Sequence, residues 1–182
     1  MRYFLCVLIF AVTGCVGVPE GIEPVGGFDK TRYLGKWYEI ARLDHSFERG
    51  MERVSAEYSL RDDGGINVIN RGFDSQSRQW DEAHAKAFFV DDPQLAHLKV
   101  SFFGPFYGSY VIFELDKNYQ YAFVTSSNKS YLWLLSRSPQ VGDKLKQHFL
   151  AAVAALGFDQ TAIIFVDQHF DDNNGEYVVP DE

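Results

Sequence analysis

The chain has 182 residues, enough for one domain around one core, and no Pro/Gly/Ser-rich linker divides it. Its formal charge of −8 excludes the basic footprint of a nucleic-acid binder and opposes docking on anionic lipid by charge alone. Aromatic residues at 16%, with Phe 16 and Tyr 10, favour strands that enclose something bulky and apolar.

The first residues read as a secretory leader. Arg2 is its positive charge, Tyr3 to Ala11 an apolar run too short to span a bilayer, and Val12-Thr13-Gly14-Cys15 a small-residue stretch ending in cysteine. That ending resembles a bacterial lipobox, with Val12 where leucine is commoner. The resemblance implies a lipoprotein signal peptide over residues 1–14, diacylation of Cys15 and acylation of the new terminus, a durable anchor. Val16 in place of aspartate implies sorting to the outer membrane of a Gram-negative cell. Cleavage removes Arg2 alone among the charged residues, leaving 16 basic against 25 acidic groups and a charge of −9. With Cys6 in the leader and Cys15 under lipid, no thiol remains for a disulfide, so packing alone must hold the fold.

Residues 15–27 carry glycines and prolines without periodicity and read as a tether. Phe28 to Leu34 is expected to form a short helical turn at the base of the fold. From Gly35 onward, short extended runs alternate with turn chemistry, the pattern of an antiparallel sandwich or barrel, and eight runs can be drawn. The first is Trp37 to Leu43. Asp44 to Met51 follows as a lid-sized loop with Phe47 at its tip. In Arg53 to Leu60, Val54, Ala56, Tyr58 and Leu60 share one parity and are expected to point inward. Asp62-Asp63-Gly64-Gly65 makes a hairpin into Ile66 to Phe73, and Asp74 to Ser77 another into Gln79 to Val90. There Ala83, Ala85, Ala87 and Phe89 face in while Glu82, His84 and Lys86 form a solvated row. A file of alanines leaves room inside a small barrel. In His97 to Phe103 the inward set is Leu98, Val100 and Phe102, and Tyr107 in the next turn is placed at the rim.

Tyr110 to Leu115, Tyr121 to Thr125 and Tyr131 to Arg137 are apolar on both parities, which implies cover on both faces and leaves inward and outward open. Ser138-Pro139 reads as a helix start, with Val141, Leu145, Phe149 or Leu150, Val153 and Leu156 as one stripe and Gly157 as the stop. Thr161 to Val166 is a further strand beside the first. Residues 169–182 are acidic and read as a mobile tail.

Two distant features belong together. Gly35 before Trp37 marks a sharp turn into a strand with a large indole to pack, and Arg137, a hundred residues later, is suited to lie over that indole as a cation–π lid. With Tyr33 to Arg42, Leu115 to Ala122 and Leu132 to Arg137, these residues resemble three motifs of the lipocalin family in order and spacing, most closely its bacterial outer-membrane lipoprotein (Blc) type, which is similar to apolipoprotein D. The resemblance covers the chain from residue 28 to 168. It implies an all-β fold: an eight-stranded up-and-down antiparallel barrel with one C-terminal helix outside, a short extra strand and a ligand cavity.

It further implies structural roles for Gly35, Trp37 and Arg137, and a protein anchored on the periplasmic face of the outer membrane that holds a fatty acid or lysophospholipid. The cavity set expected from parity is Phe47, Val54, Ala56, Tyr58, Ala85, Ala87, Phe89, Leu98, Val100, Phe102 and Tyr107. No catalytic constellation, cofactor loop or metal-ligand spacing is legible; His45, His84, His97, His148 and His169 are scattered. The rival readings are an envelope structural or chaperone-like protein, and a lipid-modifying enzyme of lipocalin form. The latter needs a buried ionisable pair, which parity does not reveal.

Overall fold

The computed structural model describes residues 16–169. The leader, Cys15 and the acidic tail from residue 170 lie outside them. Asp29 caps a one-turn helix, α1 (Lys30–Tyr33), by accepting from the Thr31 amide at 2.9 Å. Gly35, at φ +88°, then swings the backbone from that helix into β1 (Gly35–Leu43), a conformation open to glycine and strained for any other residue.

Seven further strands follow as hairpins: β2 (Met51–Leu60), β3 (Ile66–Asp74), β4 (Gln79–Phe89), β5 (His97–Ser101), β6 (Gly108–Leu115), β7 (Tyr121–Thr125) and β8 (Leu132–Ser136). Each pairs antiparallel with the next, and β1 bonds both β2 and β8, so the sheet closes on itself as the expected eight-stranded barrel. The extra strand, β9 (Ile163–Phe165), pairs with Ala41 to Leu43 at the end of β1 that β2 does not cover. It is shorter than expected, because Gln160–Ala162 first forms a 3₁₀ turn capped by Asp159.

The strands apolar on both parities are now resolved. Tyr110, Ile112, Ala122, Val124, Trp133 and Leu135 belong to the inner core, whereas Val111, Phe123, Leu132 and Leu134 belong to a second, outer core. The outer core is covered by α2 (Asp143–Ala155), which lays Phe149 and Val153 onto the barrel wall, the Phe149 ring meeting Phe123 at 4.9 Å. Of the two stripe candidates, Phe149 is the buried one. The helix starts later than the sequence suggests. Ser138-Pro139 stays in a bend, and Gly142 occupies the N-cap with no side-chain bond, so proline chemistry there ends a strand instead of opening a helix. Gly157, at φ +80°, terminates the helix as expected.

One inward assignment on β2 fails. Leu60 is 51% exposed: β1 begins at Gly35 opposite Tyr58, so β1 does not pair with Leu60 on that side. Part of the segment 16–27 docks on the barrel: Ile22 is buried in the outer core, and Val25 exchanges backbone bonds with Ile112 and Ala96 at 2.9 Å each. An apolar segment beside an open strand edge gains both burial and ladder bonds by docking.

Candidate functional site

The closed end of the barrel is a stack. The Arg137 guanidinium lies 4.0 Å over the Trp37 ring, and Trp37 packs on Tyr33 at 4.6 Å. Arg137 donates to the carbonyls of Lys36 and Arg32 at 2.8 Å each, while Trp37 Nε1 donates to the Tyr33 carbonyl at 2.8 Å. Phe28, Phe89 and Tyr119 widen this plug. Trp37 is fully buried and faces no cavity; the floor presented to the interior is Tyr33.

Above it lies a cavity of about 600 Å³. Three tyrosine hydroxyls sit together in its wall: Tyr110 bonds Tyr33 at 2.7 Å and Tyr58 at 2.9 Å. Burial holds Tyr33 and Tyr110 neutral well above the usual phenol range and pushes Tyr58 up to about 12. The remaining wall is mostly apolar: Val54, Ala56, Ile66, Val68, Ala87, Leu98, Val100 and Leu135. At the mouth, Phe47, Phe102, Phe103 and Phe106 line the opening and are left at 56, 40, 83 and 66% exposure, beside Tyr107 and Tyr131.

Nine of the eleven residues expected from parity line this cavity: Phe47, Val54, Ala56, Tyr58, Ala87, Leu98, Val100, Phe102 and Tyr107. Ala85 and Phe89 do not. Ala85 borders a separate surface depression with Ser59, Lys86 and Ser101, and the Phe89 ring is taken up by Phe28 at 6.0 Å in the plug. Parity states which face a residue occupies, not how deep it lies; along β4 only Ala87 sits at the level of the hollow. Ala83, of the same parity, is exposed. The outward row is as expected, with Glu82 bonded to Arg71 and His84 on the surface.

The structure also holds the buried ionisable cluster that parity did not reveal. Glu39 is 3% and Arg42 2% exposed, with Arg42 Nη1 donating to Glu39 Oε1 at 2.7 Å. Arg42 Nη2 donates to the carbonyls of Glu48 and Met51, and Trp133 Nε1 to Glu48 Oε2 at 3.1 Å. Burial, then the neighbouring Glu48 charge, raises the Glu39 carboxyl well above its usual range; burial also raises Glu48. His45 stacks on Phe47 at 4.1 Å, and burial, then Arg42, lowers its pKa to about 4, so it is neutral at pH 7. One signal was available: Glu39 shares Trp37's parity and therefore faces in. Arg42 was hidden by the bulge between Glu39 and Ala41, which brings an even-numbered residue to the inner face.

The Lipocalin-like domain family matches residues 28–168. The chain is 53% identical over 166 residues to "Outer membrane lipoprotein Blc" of Vibrio cholerae, covering 91% of this chain and 97% of that protein. It is 30% identical over 149 residues to apolipoprotein D of Bos taurus, covering 72 and 78%. The structure of insecticyanin from the tobacco hornworm superimposes with a TM-score of 0.69 over 89% of this chain and 91% of that one at 20% identity, a likeness of fold. A closed eight-stranded barrel plugged by Trp37 under Arg137, a single outer helix and this family match lead to one conclusion: the chain belongs to the lipocalin family.

Proposed function

We propose that this lipocalin is a lipid carrier of the cell envelope, held to the periplasmic face of the outer membrane through acylated Cys15 and taking a fatty acid or lysophospholipid into its barrel. The observation that carries the reading is the cavity of about 600 Å³, open at one end, stoppered at the other and walled by aliphatic side chains. Its volume falls within the range of small-molecule sites, and each methylene transferred from water into such a wall gains about 0.8 kcal/mol. The nine lining residues named from parity are the proposed chain contacts, joined by Ile66, Val68 and Leu135.

The anchor rests on the lipobox-like Val12-Thr13-Gly14-Cys15 and on relatives whose name is outer membrane lipoprotein. The buried Glu39–Arg42 pair does not carry the enzyme reading, because Arg42 is taken up by Glu39 and by the carbonyls of Glu48 and Met51, so the proposed role is binding without transformation. Organic extraction of protein purified from membranes, followed by mass spectrometry, tests the reading. Near-stoichiometric single-chain lipid is the expected result, and a lipid-free protein that also takes up none on titration overturns it.

A further inference from the structure

A second concave site lies on the outside of the barrel, where β2 to β5 run side by side. It is a depression of about 520 Å³ lined by Ser59, Asn67, Lys86 and Ser101, together with Arg61 and His84. The pairing register brings these side chains together. Ser59 stands opposite Asn67, Asn67 opposite Lys86, and Lys86 opposite Ser101, so the four form one row across four strands. Ala87 and Val100, their sequence neighbours, line the inner cavity, which leaves Lys86 and Ser101 on the outer face of the same wall.

The row is built from donors. Lys86 brings three N–H groups and a positive charge, and among the described residues its ammonium has no ion-pair partner. Asn67 Oδ1 already accepts from Arg61 Nη1 at 2.8 Å, which leaves the Nδ2 amide as the free end of that side chain. Ser101 is 4% exposed, and its Oγ has no hydrogen-bond partner among the described residues. A buried hydroxyl without a partner costs free energy that an acceptor on a ligand would recover. The charge is equally out of place in a chain of formal charge −8. The positions opposite and diagonal to Lys86 on β3 and β5 hold Asn67, Ile69, Ser101 and Lys99, none of them acidic. Of the carboxylates nearby in the sheet, Asp63 is held by Arg61, and Glu82 by Arg71 and His84. Free donors around an unneutralised ammonium suit an oxyanion and repel a cation.

We propose that Asn67, Lys86 and Ser101 form a binding site for a phosphate group on the outer wall of the barrel, separate from the cavity. Adjacent strands lie about 4.8 Å apart, so Asn67 and Ser101 flank Lys86 closely enough for one tetrahedral anion to meet all three. Lys86 supplies the charge, while Asn67 Nδ2 and the Ser101 hydroxyl donate to two further oxygens. Ser59, one strand along, and Phe102, beside Ser101, bound the space left for whatever carries the phosphate. A free phosphate and the phosphodiester head of a phospholipid present the same non-bridging oxygens and both satisfy this chemistry. The site goes beyond the carrier reading and does not depend on it.

The test is an amide NMR titration of the full chain at constant ionic strength with two water-soluble probes, inorganic phosphate and glycerophosphoglycerol, the latter being a phospholipid head without its chains. At least one probe should shift the amides of Asn67, Lys86 and Ser101 saturably. Lys86→Gln should weaken that binding about tenfold and Ser101→Ala about fivefold. Ser101→Ala removes only an unpaired hydroxyl, so its urea midpoint without phosphate should equal or exceed that of the unaltered chain, which separates lost binding from lost folding. Tighter binding of inorganic phosphate assigns the site to a free phosphate, and tighter binding of glycerophosphoglycerol assigns it to a lipid head. No saturable shift with either probe, or an affinity unchanged in Lys86→Gln, overturns the site. Neither probe carries an acyl chain, so that failure leaves the carrier reading standing.

Discussion

The Arg137 guanidinium lies 4.0 Å above the Trp37 ring and its three nitrogens reach the carbonyls of Lys36, Arg32 and Tyr119, so one side chain ties β1, α1 and the β6–β7 turn to the end of β8. Burial lowers its pKa, a cost that the indole face and three carbonyls offset. Arg137→Ala should therefore destabilise the domain by about 2 kcal/mol, since it removes the cation–π contact and leaves carbonyls short of a donor. Urea denaturation measures this, and an unaltered midpoint would show that the plug holds without its cap.

Gly35 should be intolerant for a backbone reason. A Cβ built there meets only Arg137 Nη1 at 3.5 Å, an ordinary contact, but the φ of +88° strains any L side chain. Gly35→Ala is expected to cost about 1–2 kcal/mol with no change in the near-ultraviolet signal of Trp37. A neutral effect on stability contradicts this.

Ala87 is 2% exposed and lies at the level of the hollow, facing in beside Val100 and Ile66. Placing an indole there should fill the cavity without disturbing the plug. Ala87→Trp is expected to lose uptake of a fluorescent single-chain lipid while keeping a cooperative melt close to that of the unaltered chain. Full uptake by the variant would mean that the chain lies elsewhere.

His45 supplies a pH prediction. Its folded pKa of about 4 lies below the unfolded value near 6.5, so the unfolded chain binds the extra proton first. The stability that depends on neutral His45 is complete above pH 6.5 and is lost as pH falls from 6.5 towards 4. His45→Phe preserves the stacking on Phe47 and the tilted ring contact with Trp133 but cannot titrate. Between pH 7 and 5 the unaltered protein should lose about 1 kcal/mol or more relative to this variant. Parallel stability curves over that window would remove His45 from the account.

Much was legible in order along the chain because the information is local. Alternation in β2 placed Val54, Ala56 and Tyr58 inside, the turn residues at 62–65 and 74–77 located two hairpins, and Gly35, Trp37 and Arg137 marked a plug whose geometry follows from what an indole and a guanidinium do when stacked. Period-two reasoning assigns a face to each residue for as long as a strand stays regular. What it leaves out is depth along the barrel and any change of phase.

Tertiary structure decided the rest for those reasons. Bulges between Glu39 and Ala41 and between Ile112 and Glu114 shift the phase, so Arg42 reaches the interior and the faces of β6 could not be read by counting. Depth separates Ala87, on the cavity, from Phe89, in the plug, although both have the same parity on one strand. The pairing of Glu48 with Trp133, 85 residues apart, exists only because the barrel closes and brings the β1–β2 loop against β8. The sequence determined that a stoppered hollow would form, since that rests on local pattern. Which charges look into it depended on contacts made across the closed sheet.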